Sequence, residues 1–234
     1  MTELVIRGGT VVDGTGAPRR PADVVIRDGR IVAVGEVGPA SGATVIDSTG
    51  RIVSPGFIDI HSHSDESVLV NSALESTLHQ GVTLVVAGNC GGSSAPALGL
   101  AAAELDREIE RMDLRRTWTS FDEYVRAVEA SGTAINFSSL VGHGTLRMCV
   151  MGADDHPPSA GELAAMQALL ASALADGAVG LASGLIYPPS AFAIAVSSAK
   201  ARGPISSCSI PSGSSTLRPT TIRIATPAGS TTSS

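Results

Sequence analysis

Two histidines, His61 and His63, directly follow a short apolar segment and are separated by a single serine. Side chains alternate along an extended strand, so residues i and i+2 point to the same side. Two imidazoles that leave the end of a strand in this way can bind one metal ion, and neutral imidazole suits Zn²⁺. Two polar residues in a solvated loop are the alternative, but the preceding apolar strand favours a metal site.

A cysteine, Cys90, lies in a Gly-Asn-Cys-Gly-Gly sequence directly after the apolar segment 82–87. A thiolate there would be a third metal ligand, because zinc accepts mixed histidine and cysteine ligands. The same sequence also resembles a nucleophile elbow, which would make Cys90 a catalytic nucleophile with His143 as its base. A phosphate-binding loop is disfavoured by the lack of a lysine, and a buried, inert cysteine remains an alternative.

Three further residues are candidates for substrate binding. His143 lies between two glycines after the apolar segment 134–141, where a backbone can approach a ligand closely. Ser183 and Tyr187 end the apolar segment 179–186, and the Tyr187 hydroxyl could donate to a carboxylate or carbonyl. The alternatives are a histidine in a tight turn and a tyrosine ring that covers the mouth of the fold. Asp65 and Glu66 could approach the metal site, but the solvated start of a helix is the favoured interpretation.

The elements that must position these residues alternate between strands and helices. Apolar segments at 57–60, 82–87, 134–141 and 179–186 predict strands, and residues 71–80, 100–130 in two pieces and 159–175 predict helices. Serine followed three residues later by glutamate, at Ser120 and Ser159, indicates helix starts with capping boxes. This order predicts an α/β fold with a parallel sheet, and the carboxyl ends of parallel strands meet at one edge.

The first 54 residues have a different pattern. Residues 5–12, 25–32 and 45–53 each consist of two β-branched runs around a glycine, and each predicts a β-hairpin. Asp28-Gly29 is typical of a two-residue type I′ turn. We therefore expect a small antiparallel module over residues 1–54, followed by the α/β region over 55–195.

Composition limits the remaining possibilities. The net charge is −6, which disfavours nucleic acid as a partner, and no apolar run is long enough to span a membrane. Three scattered cysteines and the lack of a secretory leader predict a reduced, cytoplasmic protein. No acidic residue follows Asp176, and residues 196–234 are low in complexity and rich in serine and threonine. We expect this tail to be disordered.

The sequence resembles the amidohydrolase superfamily, and within it the N-acyl-D-amino-acid deacylases, or D-aminoacylases. The resemblance covers about residues 3–192. It is carried by VDGTG at 12–16, PGFIDIHSHSD at 55–65, GVTLVVAGNCG at 81–91, LVGHGTLR at 140–147 and GLIYPP at 184–189. The combination of HSH with GNCG is specific to this branch.

The resemblance implies a metal-dependent (β/α)₈ barrel preceded by a small β-sandwich. It implies hydrolysis of the amide of an N-acyl-D-amino acid to a carboxylate and a D-amino acid. It assigns His61, His63 and Cys90 as ligands of one or two divalent ions, zinc first among them. Tyr187 and its neighbours match a segment that lines the substrate pocket. A small molecule is the expected partner, with no nucleic acid and no membrane, and the oligomeric state stays open.

The sequence also departs from the family pattern. Members carry two later metal-binding histidines and an aspartate that acts as general base, but no histidine follows His156 here. About 140 residues of α/β pattern are half of what a closed barrel needs. We therefore expect a truncated chain, the N-terminal half of a barrel, with its catalytic base missing and its activity impaired.

Three alternative functions stay open at this point. A dihydroorotase-like or hydantoinase-like hydrolase of cyclic amides would use a barrel lysine that bridges the metals, but the chain's single lysine is Lys200, in the predicted tail. A cysteine hydrolase would use Cys90 and no metal. A non-catalytic remnant is the third possibility.

Overall fold

The computed structural model describes residues 3–186 and 188–195. Tyr187 and the predicted tail at 196–234 lie outside the described residues, so the prediction of disorder is not tested. The described residues form two compact units. One contains residues 3–57 and 76–83, and the other contains residues 58–75, 84–186 and 188–195.

The first unit is built on a five-stranded sheet in the order β3-β2-β1-β4, with β5 also paired to β1. Strands β2 and β3 run antiparallel to their neighbours, whereas β4 and β5 run parallel to β1. The apolar core of this sheet includes Ile6, Val24 and Val53. The strands are β1 (Glu3–Val11), β2 (Arg20–Arg27), β3 (Arg30–Gly35), β4 (Thr44–Asp47) and β5 (Ile52–Val53).

The hairpin predictions for this unit are only partly correct. The turn at Asp28-Gly29 joins β2 to β3, and both residues have positive φ as a type I′ turn requires. The other two predicted hairpins are wrong. The Gly8-Gly9 pair lies inside β1 at a register irregularity, and the segments around 45–53 pair with β1 instead of with each other.

Close packing explains why a glycine pair stands inside β1. Gly8 has a φ of 74°, and a side chain on Gly9 would clash with Val53 of the neighbouring strand. The two glycines therefore permit a bulge and a close approach of β5, and they do not form a turn. The sheet is consequently mixed and not antiparallel.

The predicted parallel strands lie mostly in the second unit, with the first residues of β6 and β7 in the first unit. Strands β6, β7 and β8 form one sheet in that order, and β9 pairs with β10. The β7–β8 and β9–β10 pairs are parallel. The strands are β6 (Phe57–Asp59), β7 (Val82–Ala87), β8 (Asn136–Ser139), β9 (Val141–Gly142) and β10 (Leu181–Ala182).

Two of these strands differ from the expectation. Strand β10 has two residues, although the sequence predicts a strand over 179–186. The sequence also predicts a buried β6, but Phe57 and Ile58 are 61% and 59% exposed. Among the described strands β6 pairs with β7 alone and lies at the edge of its sheet, so one of its sides has no neighbouring strand.

Six α-helices and one 3₁₀ helix complete the described residues. Of the predicted helix over 71–80, only α2 (Glu75–Leu78) forms, because Leu74 before it has a φ of 44°, which a helix does not allow. The sequence pattern does not predict helix α5. The helices are α1 (Ser67–Val70), α2 (Glu75–Leu78), α3 (Gly99–Glu110), α4 (Phe121–Ser131), α5 (His143–Val150), α6 (Ala160–Ala175) and the 3₁₀ helix (Ser190–Ala195). None of these described helices has the length and apolar character needed to cross a membrane.

Both predicted capping boxes are present. Ser120 caps α4 and Ser159 caps α6, each through a hydroxyl that accepts the N–H of the glutamate three residues later. The Glu162 carboxylate in turn accepts the Ser159 N–H at 2.7 Å. These reciprocal bonds satisfy N–H groups that a helix start otherwise leaves free.

Ser159→Ala should lower the free energy of unfolding by about 1 kcal/mol, because it removes the cap of α6. Ser172→Ala is the matched control, since Ser172 is a residue inside the same helix, away from its start. The control should change stability by less than about 0.5 kcal/mol, in the stabilising direction, because alanine has the higher helix propensity. Urea unfolding followed by far-ultraviolet circular dichroism measures both. Equal effects of the two substitutions would contradict the role of the cap.

Candidate metal centre

His61 and His63 lie on the segment that leaves the carboxyl end of β6. Both side chains are exposed, whereas Ser62 between them is buried. The two rings lie on the same side with their centroids 5.5 Å apart. The Asp59 carboxylate accepts the His61 N–H at 3.0 Å and holds the start of the segment. The alternation expected from an extended backbone therefore holds here.

Cys90 enters the same space from the carboxyl end of β7. Its Sγ lies 3.2 Å from Nε2 of His61. The donor atoms of His61, His63 and Cys90 all lie within 4.8 Å of one another, which makes them the group suited to a metal ion among the described residues. The parallel strands thus bring together the three side chains that the sequence singles out.

The three donor atoms fit a zinc ion. Zinc binds imidazole nitrogen at about 2.0–2.1 Å and thiolate sulfur at about 2.3 Å, so tetrahedral ligand atoms lie about 3.4–3.6 Å apart. The His61–Cys90 separation of 3.2 Å is near that range, and no separation within the group exceeds 4.8 Å. These three candidate ligands among the described residues would leave a fourth position of a tetrahedral ion open, as in catalytic zinc sites.

The loop that carries Cys90 has an unusual backbone. Cys90 has a φ of 56°, and the neighbouring Gly88 and Gly91 also have positive φ. A side chain on Gly88 would clash with the Leu140 carbonyl, and one on Gly184 would clash with the Cys90 carbonyl. The loop is therefore packed backbone against backbone, which fixes the direction in which the thiol points.

His143 directly follows β9, at the carboxyl end of the strand, as the sequence predicts. It begins α5 and does not lie in a tight turn. Side chains on Gly142 or Gly144 would clash with Gly91, so these glycines accommodate the Cys90 loop and not a ligand. Nδ1 of His143 is buried without a hydrogen-bond partner among the described residues. Burial, and secondarily the charge of Arg147, lower the pKa of His143.

Ser183 follows β10, at the same end of the parallel strands as His143. The adjoining Gly184 packs against the Cys90 carbonyl, so Ser183 lies beside the loop that carries the thiol. Tyr187 lies outside the described residues, and its predicted role is not tested.

A cavity of about 450 Å³ adjoins His63 and Cys90. Four carboxyl groups and several apolar side chains line it, and Asp65 is only 5% exposed. The expectation of a solvated Asp65 is therefore wrong. Burial, with Glu66 as a second cause, raises the pKa of Asp65 to about 7, and burial also raises the pKa of Glu66. The four acidic residues are Asp65, Glu66, Glu104 and Glu108.

Two side chains that the sequence did not point to donate hydrogen bonds to backbone carbonyls near the histidines. The Asn89 side chain donates to the carbonyls of Ser62 and Val86. The buried Tyr124 hydroxyl donates to the Asp65 carbonyl at 2.9 Å. An asparagine next to a candidate ligand in a glycine-rich loop is a signal that could have pointed to Asn89, whereas nothing in the sequence points to Tyr124.

Comparison with known proteins identifies the family. Residues 44–202 match the amidohydrolase family. The chain belongs to this family. The resemblance noted in the sequence is thereby confirmed, together with the α/β fold.

Deacylases of N-acyl-D-amino acids are among the family members that this chain is similar to. It is 44% identical over 189 residues to N-acyl-D-glutamate deacylase of Alcaligenes xylosoxydans xylosoxydans and 39% identical over 191 residues to D-aminoacylase of the same organism. These matches cover 80% and 81% of this chain, and 38% and 39% of the relatives.

A solved structure gives the same result. The N-acyl-D-glutamate deacylase of Bordetella bronchiseptica, complexed with zinc and a phosphonate that mimics the tetrahedral intermediate, is 43% identical and superimposes with a TM-score of 0.73. The match covers 82% of this chain and 40% of that protein. The amidohydrolase chain described here thus spans about two fifths of the length of the relatives it matches.

Titration with Co²⁺ should produce a thiolate-to-cobalt charge-transfer band, because Cys90 is one of the three converging donors. Cys90→Ala should abolish the band, and His61→Ala should weaken cobalt binding by a factor of about ten or more. Cys149→Ala is the matched control, since the Cys149 thiol is half-buried against the Pro96 carbonyl. Absorption spectroscopy of the wild type and the three variants measures the band. Loss of the band in the control, or its survival without Cys90, would refute the site.

The lowered pKa of His143 predicts a pH dependence of stability. The unfolded chain takes up a proton near the ordinary pKa of 6.5, whereas the folded chain takes it up only at lower pH. Stability should therefore fall as the pH drops from 6.5 through the pKa of the folded state. The stability of the His143→Gln variant should fall less steeply over the same pH range. Urea unfolding at several pH values measures the difference, and parallel curves would contradict the assignment.

Proposed function

We propose that this chain supplies the zinc centre of a hydrolase that cleaves the amide bond of N-acyl-D-amino acids, giving a carboxylate and a free D-amino acid. The observation that carries the proposal is the convergence of His61, His63 and Cys90 within 4.8 Å. Identity of 39–44% to deacylases of N-acyl-D-amino acids supports the substrate class.

Each part of the site has a separate role in the proposed reaction. Zinc, when bound, supplies Lewis-acid polarisation of the amide carbonyl and acidifies water. His61 and His63 would hold the ion through imidazole nitrogens, and Cys90 would hold it through its sulfur. The buried Ser62 keeps both imidazoles on the exposed side of the segment. The cavity beside His63 and Cys90 has the volume for a small acyl-amino acid.

Substrate contacts are assigned to residues at the same end of the parallel strands. His143 begins the helix after β9 and stays neutral near pH 7 because its pKa is lowered, so it can donate or accept a hydrogen bond. Ser183 directly follows β10 and brings a hydroxyl to this end of the strands. Tyr187, matched to the family's pocket segment by the resemblance, completes the set.

The architecture proposed for this function is the N-terminal half of a (β/α)₈ barrel over residues 55–195. It is preceded by a β-sandwich module over residues 1–54 and followed by the tail at 196–234. Parallel strands β6 to β10 with intervening helices support it. A cytoplasmic location and a reduced Cys90 accompany it, because a thiol ligand must stay unoxidised.

Turnover by the 234-residue chain is impaired under this proposal. The family's general base is an aspartate on a late barrel strand, but residues 177–234 contain no acidic residue. The two later histidine ligands of the family also have no counterpart after His156. The described residues thus supply three candidate ligands, and the general base is assigned to the later part of the family's barrel.

Two alternatives are less well supported by the same observations. A cyclic-amide hydrolase would need a lysine between the metals, and the chain's single lysine is Lys200. A cysteine hydrolase would pair Cys90 with His143, but the Cys90 thiol lies next to His61, and Nδ1 of His143 has no partner among the described residues.

Ligand binding tests the function independently of turnover. Adding N-acetyl-D-amino acids to the Co²⁺-loaded chain should shift its absorption spectrum, and the L-enantiomers should not. Slow amine release from the D-substrates should stop on chelation and in His61→Ala, and should continue in Cys149→Ala. A spectral shift with hydantoins alone, equal shifts with both enantiomers, or hydrolysis that survives chelation would overturn the proposal.

A further inference from the structure

One carboxamide contacts the backbone of both segments that carry the candidate ligands. Asn89 directly precedes Cys90 in the chain, and Asn89 is only 8% exposed. Its Nδ2 donates one hydrogen bond to the Val86 carbonyl at 2.8 Å and a second to the Ser62 carbonyl at 3.3 Å. An amide NH₂ has two hydrogens, so both are used. Because both partners are carbonyls, which can only accept, the orientation of the amide is unambiguous.

Ser62 is held through both of its peptide groups. Its N–H donates to the Val86 carbonyl at 3.0 Å, and its own carbonyl accepts from Asn89. The first group belongs to the peptide that joins Ser62 to His61, and the second belongs to the peptide that joins Ser62 to His63. The two peptides that set the spacing of the histidines are thus tied to the end of β7.

We propose that Asn89 is a positioning residue that presets the geometry of the metal ligands, so that the site exists before the ion arrives. The inference rests on the proposed metal centre. Asn89 does not touch the ion; it acts through the Ser62 peptides on one side and through its covalent neighbour Cys90 on the other. A preformed site binds its ion more tightly, because the ligands are already ordered and binding costs no further ordering entropy.

The side-chain type is decisive in this arrangement. Aspartate has the same shape but no N–H, and its oxygens would face two carbonyl oxygens. Alanine leaves both carbonyls without this donor. Either substitution frees the Ser62–His63 peptide while leaving His61, His63 and Cys90 intact. Outer partners that orient metal ligands typically contribute a factor of about 10–100 in metal affinity.

The test compares Zn²⁺ affinity, by competition with a chromophoric chelator, in wild type, Asn89→Ala and Asn89→Asp. Both variants should bind zinc at least about tenfold more weakly, and their Co²⁺ spectra should lose intensity as the ligand geometry loosens. Tyr124→Phe is the matched control. It removes another buried donor to the same segment, at Asp65, beyond the two histidines, and should leave zinc affinity within about twofold of wild type.

The outcomes separate this inference from the proposed function. Wild-type affinity and an unchanged cobalt spectrum in both Asn89 variants would overturn the positioning role and leave the metal site standing. Equal weakening by Tyr124→Phe would also overturn it, since the effect would then be general loosening of the segment. Failure of the wild type to bind metal would remove the proposed function itself.

A measurement on the wild type keeps the inference testable if the variants do not fold. The side-chain amide protons of Asn89 should exchange slowly with solvent in the metal-free protein, because both are bonded and the residue is buried. Rapid exchange of these protons before metal is added would show that the segment is not held in advance, and would overturn the inference.

Discussion

The whole site depends on parallel strands that end at a common edge. Strand β6 delivers His61 and His63, and β7 delivers Cys90, so that side chains 29 residues apart in sequence come within hydrogen-bond distance. Regular strands fix only where the chain leaves the sheet. The segment beyond each strand must be held by other means, and in this protein the Asn89 side chain, which donates to the Ser62 and Val86 carbonyls, is the clearest case.

Backbone packing sets the second constraint. The loop after β7 meets the segments around Leu140 and Gly184 with no space for a β-carbon on several glycines. Such contacts bring peptide groups together without intervening side chains, so small shifts of one loop are transmitted to the next. The thiol, the start of α5 and the end of β10 are therefore mechanically connected, although they come from three separate stretches of sequence.

The sequence predicts those parts that depend on local pattern. Apolar runs locate β7, serine–glutamate spacing locates the starts of α4 and α6, and the alternation of residues predicts that His61 and His63 share a side. The sequence does not predict the features that tertiary contacts determine. The Gly8-Gly9 pair is read as a turn when it is a bulge beneath Val53, and Leu74 adopts a positive φ that shortens the helix expected over 71–80. Asp65 is polar and adjacent to a turn, yet burial by distant residues such as Tyr124 gives it a raised pKa.

The left-handed backbone at Cys90 also limits which other metals the site could be redesigned to hold. Asparagine, aspartate and histidine tolerate a φ of 56° better than other residues, whereas β-branched side chains do so poorly. Aspartate or histidine at position 90 would therefore exchange a soft sulfur donor for oxygen or nitrogen without a new backbone. Aspartate would shift preference toward harder ions such as Mn²⁺, whereas histidine would keep a site suited to zinc. Selectivity in this scaffold is thus open to engineering at a single position.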